Sequence, residues 1–226
     1  MNGEWTRCAI GVMVRAPSAA GKTRLAPDLS ASRLASLRAA LLADTLQMAA
    51  GLTGVDVMVF VTPAAAVSEV AALARSLPCA PQTDGDLGDR MRAAFEQLLR
   101  ERGYASAMLI GSDIPFLSAA HVIEARDSLH ASRGIVLGPA DDGGYYLVGM
   151  TQVHGELFDR IEWGKATVLA DTLRAADRLG VEVRLMRSAY DIDTIEDLRR
   201  LERDLAAAPP DTAPNVRRWF DKGENG

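Results

Sequence analysis

Short apolar runs rich in β-branched residues recur along this chain, and segments with helical spacing lie between most of them. Residues 8–14 (CAIGVMV) and 55–61 (VDVMVFV) are bounded by turn formers and read as buried strands. Residues 107–110, 135–137, 145–148 and 181–186 continue the series. Residues 30–50 place Leu34, Leu37, Leu41, Thr45 and Met48 on one helical stripe, with Ser30 or Ser32 as cap and Gly51 as stop. Residues 64–77, 87–102, 118–131, 165–179 and 194–205 carry the same spacing. Strands alternating with helices build a mostly parallel sheet covered on both faces. The interval between 135–137 and 145–148 is too short for a helical crossover, so part of the sheet is expected to be antiparallel.

At 226 residues, with 48% hydrophobic and 24% charged residues, the chain can bury the core of one globular domain, expected over 1–205. Residues 206–226 hold Pro209, Pro210 and Pro214 and a charged finish, with only Trp219 and Phe220 as anchors, and read as a flexible C-terminal tail, disordered or loosely docked. The net charge of −5 argues against nucleic-acid binding, which needs a surplus of Lys and Arg, but leaves room for small anions at local basic loops. Cys8 and Cys79 have no partners at metal-ligand spacing and read as buried free thiols. The apolar runs fall far short of the ~20 residues that span a bilayer, and the start of the chain, with Glu4 and Arg7, lacks a signal-peptide pattern. A cytoplasmic protein without membrane insertion is the expectation, and a homodimer would be unsurprising.

Polar motifs sit at the ends of the strand-like runs: GKTRL at 21–25, GDLGDRM at 85–91, GSDIPFL at 111–117 and DDGGYYL at 141–147, with DIDTIEDL at 191–198 closing the pattern. Loops at the carboxyl ends of parallel strands are where α/β sheets place ligands, so the series reads as one assembled site. Residues 16–23 (APSAAGKT) fall one residue short of a GxxxxGK(S/T) phosphate loop, because Ala16 stands at the first glycine. That motif requires a helix to begin at once, yet Pro27 follows, and proline inside a helix costs about 3 kcal/mol. The segment reads better as an irregular loop whose Lys22 and Arg24, with Arg15 before it, face phosphates; a solvated basic loop is the competing reading.

Asp113 ends the run 107–110, where a carboxylate can ligate Mg²⁺ or Mn²⁺ or else bond to turn amides. Asp193 can supply a second metal ligand, or Asp193 or Thr194 can cap the helix that follows, with Glu196 and Asp197 at its positive end. Gly85 and Gly88 frame Asp86, which can accept from a sugar hydroxyl or base or serve as a helix cap. Asp142, Gly143 and Gly144 form a second such loop, and Tyr145 and Tyr146 alternate faces after it, one for a ligand and one for the core. Trp163 either roofs a pocket or packs under a loop. His121, His130 and His154 have no motif around them, so no histidine base is expected.

These loops together carry a resemblance. Lys22, Thr23, Arg24 and Leu25; Gly85, Asp86, Leu87, Gly88, Arg90 and Met91; Gly111, Ser112, Asp113 and Pro115; Gly138 and Pro139; Asp142 to Tyr146; and Asp193, Thr194, Glu196, Asp197 and Leu198 follow one another as in the bacterial DUF2064 family, which is glycosyltransferase type A-like and has members assigned to arsenosugar biosynthesis. The match spans about residues 8–203. The chain is also similar to phospholactate guanylyltransferases through KTRL, and to molybdenum-cofactor guanylyl- and cytidylyltransferases through DIPFL. It departs from the family in Arg15, where Lys is frequent, in the position of Gly21, and in Gly164, Lys165 and Ala166, which replace a Ser-Thr-Pro after Trp163.

The resemblance implies a nucleotide-diphospho-sugar transferase-like fold, Rossmann-related, with a nucleotide across the strand ends. It implies a nucleotide-using transferase with Lys22, Arg24 and Asp113 as catalytic residues and Mg²⁺ or Mn²⁺ on Asp113 and Asp193. Arg15, Gly21, Thr23, Gly85, Asp86, Gly88, Arg90, Asp142, Gly143, Gly144, Tyr145 and Trp163 are its expected nucleotide- and substrate-binding residues. The reaction expected first is nucleotidyl transfer from a nucleoside triphosphate to a small anionic acceptor. Glycosyl transfer from a nucleotide sugar is the alternative, and non-catalytic nucleotide binding a third. A single Asp in GSDIP, in place of the DxD of many glycosyltransferases of this fold, and the cations of KTRL favour the first.

Overall fold

A computed structural model describes residues 7–223. Seven strands form one sheet: β1 (Cys8–Arg15), β2 (Val55–Thr62), β3 (Cys79–Pro81), β4 (Ser106–Ile110), β5 (Ile135–Pro139), β6 (Tyr145–Met150) and β7 (Val183–Leu185). Their order is β3-β2-β1-β4-β6-β5-β7. β6 runs antiparallel to both neighbours, β4 and β5, and every other pairing is parallel. The expected mixed, mostly parallel sheet is therefore present, and its reversed strand is the one that follows the short interval after 135–137.

Seven α-helices form among the described residues: α1 (Ala31–Ala50), α2 (Val67–Ala74), α3 (Leu87–Phe95), α4 (Ala119–Ser132), α5 (Val168–Arg178), α6 (Ile195–Ala207) and α7 (Pro214–Asp221). The alternation of β1 explains the two-sided core. Cys8, Ile10, Val12 and Val14 point to one face, where Leu42, Leu46, Val122 and Leu129 cover them. Ala9 and Met13 point to the other face, shared with Met58, Phe60, Phe95, Leu98 and Leu109. Gly11 belongs to that second face, and a Cβ there would come within 2.5 Å of Leu109 Cδ2 and 2.8 Å of Phe60 Cε2, so glycine leaves the volume those side chains fill. Among the described residues no helix is long and apolar enough to cross a membrane. Cys8 is buried and Cys79 half-buried, both as free thiols.

Several boundaries differ from expectation for physical reasons. The helix over 64–77 opens as a 3-10 turn, Ala64–Ala66, and α2 stops at Ala74 because Arg75 adopts φ 55°. The chain then adds β3 at the sheet edge, three residues that only pairing with Val59, Phe60 and Val61 makes a strand. The helix over 87–102 changes to π-type hydrogen bonding over Glu96–Glu101. β7 contracts to Val183–Leu185, an edge strand paired on one side with β5.

The largest correction concerns the C-terminal segment. Within the described part of the segment expected as a flexible tail, residues 206–223, α6 extends to Ala207 and α7 packs on α1, with Val216 and Trp219 buried; residues 224–226 lie outside the described residues. Asp44 of α1 accepts from the amides of Asn215 and Val216 at 2.9 and 3.0 Å and so caps α7 from another helix. Arg217 donates to the carbonyls of Leu205, Ala208 and Pro209. The Arg33 guanidinium stacks 3.5 Å from the centre of a Trp219 ring, and the Trp219 indole N–H reaches Ser36 Oγ at 3.0 Å. A third apolar cluster results. It joins Leu25 and the α1 stripe to Tyr190, Ile192, Leu198, Leu201 and Trp219.

Candidate functional site

Leu25, wholly buried in that third cluster, pins the basic loop 16–29 over the carboxyl end of β1. The loop is a series of turns and the helix does not start until Ala31, with Ser30 Oγ accepting from Arg33 N as its cap. This geometry is incompatible with a GxxxxGK(S/T) loop, in which a helix follows the Lys directly. Arg38 of α1 shapes the loop. Its guanidinium donates to the carbonyl oxygens of Arg15, Ala16, Pro17 and Ala19, and Arg15 donates to the carbonyl of Ala20 at 3.2 Å. With those carbonyls turned toward Arg38 and Arg15, the consecutive amides of Ala20, Gly21, Lys22, Thr23 and Arg24 have no protein acceptor among the described residues. Burial, with Arg15 next in weight, lowers the pKa of Arg38 from its ordinary value.

Lys22 turns inward with φ 51°, and its side chain is 9% exposed. Its ammonium donates to Asp113 Oδ2 at 3.0 Å and to the Ile192 carbonyl, and lies 3.5 Å from Asp193 Oδ1. Arg24 is mostly exposed and pairs with Asp193 Oδ2 at 3.5 Å. Burial opposes ionisation of Asp113, but the charge and hydrogen bond of Lys22 outweigh it and hold the carboxyl below the usual carboxylate range. Burial likewise works against a charged Lys22, and Asp113, Asp193 and Asp191 reverse it, so the ammonium is held more firmly than a free lysine. Asp191 has the opposite fate. Burial, then the negative charges of Asp113, Asp142 and Asp193, push its carboxyl up to about 6.

Asp193 does not cap α6. Thr194 does so, accepting from Asp197 N at 3.2 Å, while Asp197 Oδ2 accepts from the amides of Asp193 and Thr194. Asp193 is thereby left to face Lys22 and Arg24. Two carboxylates and a carbonyl oxygen around one ammonium form a cation-binding point, and the Lys22 ammonium stands in it as a cation would. No group of three or more His, Cys, Asp or Glu side chains among the described residues forms a metal cage, so a divalent ion here would complete its shell with substrate phosphates and water.

Two cavities meet at Asp113. One, about 400 Å³, is basic and lined by Arg15, Gly21, Lys22, Thr23, Arg38 and Asp193. The other, about 360 Å³, is mainly apolar, with Leu87, Met91, Tyr145 and Trp163 in its wall and Asp142, Lys165 and Asp191 at its polar edge. Met13, Gly111 and Asp113 line both. Trp163 roofs the apolar cavity and meets Tyr145 edge-on, with centroids 6.4 Å apart. Tyr145 faces this cavity side of the sheet, whereas the Tyr146 hydroxyl donates to the Arg187 carbonyl at 3.0 Å and its ring joins the opposite core. Gly144 lines the cavity, and Gly143, at φ 89°, passes too close to the Ala166 backbone for any side chain.

Not every expected residue converges on these cavities. Gly85 makes a turn at φ 109°, and Asp86 caps α3 by accepting from Asp89 N at 3.0 Å, with Asp89 returning the bond to Asp86 N. Gly85, Asp86, Gly88 and Arg90 line neither cavity; Leu87 and Met91 of the same motif do. Gly88 is buried against Trp163, 3.0 Å from where its Cβ would stand, and so lets the indole close the roof. Sequence reasoning missed Arg38 and Asp191. Arg38 shows no motif, since it lies in a helix remote from the loop it holds, but Asp191 stands inside DIDTIEDL, two residues before Asp193. None of the three histidines lines either cavity: His121 packs on the Ser118 cap, His130 lies 3.3 Å from Ser106 Oγ, and His154 precedes the short helix Gly155–Phe158.

The fold is that of nucleotide-diphospho-sugar transferase-like proteins. A Desulfovibrio desulfuricans G20 protein described as a candidate nucleotide-diphospho-sugar transferase superposes with a TM-score of 0.86 at 30% identity, covering 95% of each chain. A cytidylyltransferase from Leptospira borgpetersenii superposes with a TM-score of 0.60 at 12% identity, over 98% of each chain. A Mycobacterium tuberculosis H37Rv protein in complex with manganese gives 0.53 at 18% identity, over 85% of this chain and 97% of that one. No curated protein matches the chain. Residues 45–165 match the family model DUF2064, described as an uncharacterized protein conserved in bacteria. The chain belongs to the DUF2064 family, and its 30% identity to the Desulfovibrio protein over 95% of both chains makes it a transferase.

Proposed function

We propose that the protein is a metal-dependent nucleotidyltransferase, moving a nucleoside monophosphate from a nucleoside triphosphate to a small anionic acceptor. The observation that carries this reading is the position of Asp113 where a basic cavity and an apolar one join. The basic cavity suits a polyphosphate: Lys22, Arg15 and Arg38 supply positive charge, and the amides of Gly21, Lys22 and Thr23 supply donors in series. The apolar cavity, roofed by Trp163, suits the organic part of an acceptor or a base.

In this reading the polyphosphate lies along loop 16–29, with its α-phosphorus at the junction. An acceptor oxygen attacks in line from the apolar side, the bond from the α-phosphorus to the bridging oxygen breaks, and pyrophosphate leaves toward Lys22 and Arg24. Asp113 and Asp193 would hold the divalent metal, which would supply positive charge to the phosphoryl oxygens. An acceptor that is already ionised needs no general base, consistent with the absence of a histidine from both cavities.

A second reading is glycosyl transfer from a nucleotide sugar. Asp142 and Asp191 at the edge of the apolar cavity would accept from sugar hydroxyls, and the 30% identical Desulfovibrio protein is described in those terms. Incubating the protein with each nucleoside triphosphate, Mg²⁺ and a panel of phosphorylated acceptors separates the two. Pyrophosphate release that depends on an acceptor supports nucleotidyl transfer. Release of a nucleoside diphosphate from a nucleotide sugar, with no pyrophosphate formed from any triphosphate, refutes it.

A further inference from the structure

The ammonium of Lys22 sits where three oxygens converge: Asp113 Oδ2, Asp193 Oδ1 and the Ile192 carbonyl. Two carboxylates and a backbone carbonyl are ligands that a hard divalent cation accepts. A second cation cannot share that point with an ammonium, because like charges at such separations in a half-buried site repel strongly. We propose that Lys22 is a displaceable counter-cation whose ammonium holds the metal position in the nucleotide-free protein, so that the divalent ion enters together with the polyphosphate that draws Lys22 away. The inference rests on the metal reading of Asp113 and Asp193 given above, and adds an order of events to it.

The loop supports such an exchange without moving its backbone. Leu25 is wholly buried and anchors the segment, while four rotatable bonds separate the Lys22 ammonium from its fixed Cα. The basic cavity opens directly beside Lys22, and Gly21, Lys22 and Thr23, whose amides have no protein acceptor among the described residues, line the space a phosphate chain would fill. A swing of one side chain takes its charge from the carboxylates to the phosphate oxygens and leaves the carboxylates free for the metal. Arg24 reaches Asp193 from the exposed side, and among the described residues Lys22 alone forms an ion pair with Asp113.

The test measures Mn²⁺ binding by electron paramagnetic resonance, without nucleotide, to the wild type, to Lys22→Met and to Lys22→Gln, the last keeping a neutral donor should the Met variant fold poorly. The expected result is roughly tenfold or greater tightening of Mn²⁺ binding in the Lys22 variants. The gain should be lost when Asp113→Asn is added, and Mn²⁺ should raise the melting temperature of the Lys22 variants but not that of the wild type. Mn²⁺ binding by the wild type that depends on Asp113 and is as tight as in the folded Lys22 variants would overturn the counter-cation role while leaving the metal reading intact. Absence of Asp113-dependent Mn²⁺ binding in every variant, with and without a nucleoside triphosphate, would overturn both.

Discussion

Asp113 is the residue at which the two cavities meet, and it carries an ion pair to Lys22. Its partner Lys22 is almost wholly buried, while the carboxylate keeps 38% of its side-chain surface open. Asp113→Asn preserves shape and a hydrogen bond to Lys22 but removes the charge. The expected outcome is a loss of turnover of ~10² to 10³ with the far-UV spectrum unchanged. Retained turnover would remove Asp113 from the reaction. Asp113 stood out in the sequence as a carboxylate just past a buried strand, where a metal ligand and a bond to turn amides were both open, and the structure places it against Lys22 where the two cavities meet. Asp86 was less distinct: glycines on both sides and a helix behind it suited a ligand contact and a cap equally, and in the structure it caps α3. Asp191 was overlooked because a carboxylate in a run of acids looks like a solvated loop, whereas here burial and three neighbouring carboxylates act on it.

At the scale of elements, the basic loop and the C-terminal helix take their shape from α1. Arg38 gathers carbonyls of residues 15–19, and Asp44 caps α7 six residues further along the same helix. Arg38→Met should release the loop and weaken nucleoside triphosphate binding roughly tenfold, equivalent to about 1.4 kcal/mol, with little change in the saturated rate. Steady-state titration of the triphosphate reads the two apart, and an unchanged KM would show that the loop holds its form without Arg38. Trp219→Ala removes the anchor of α7 and should cost about 3 kcal/mol, read as a lower urea midpoint. A midpoint equal to that of the wild type would mean that α7 contributes nothing to the folded state. Helices with a full apolar stripe, such as α1, were readable from spacing alone. α7 was not, because eight residues are too few to form a helix unaided, and its cap and its ring contact come from α1. β3 escaped for the same reason, having three residues and no pattern until β2 pairs with it.

For the whole molecule, a sheet with one reversed strand brings loops from the ends of β1 and β4, the start of β6 and the segment 190–193 to one edge. The order of strands and helices made the fold class readable, since alternation leaves few ways to cover a parallel sheet. The division of the site into a basic and an apolar half was not readable, because it depends on which side of Asp113 each loop falls. That division is the core of the functional account, and it predicts what the protein prefers to bind. Calorimetric titration with each common nucleoside triphosphate and its nucleotide sugar, with and without Mg²⁺ or Mn²⁺, tests it most directly. The account predicts metal-dependent binding of one triphosphate at least roughly tenfold tighter than its sugar conjugate, a difference of about 1.4 kcal/mol. Tighter binding of a nucleotide sugar than of any triphosphate would contradict it.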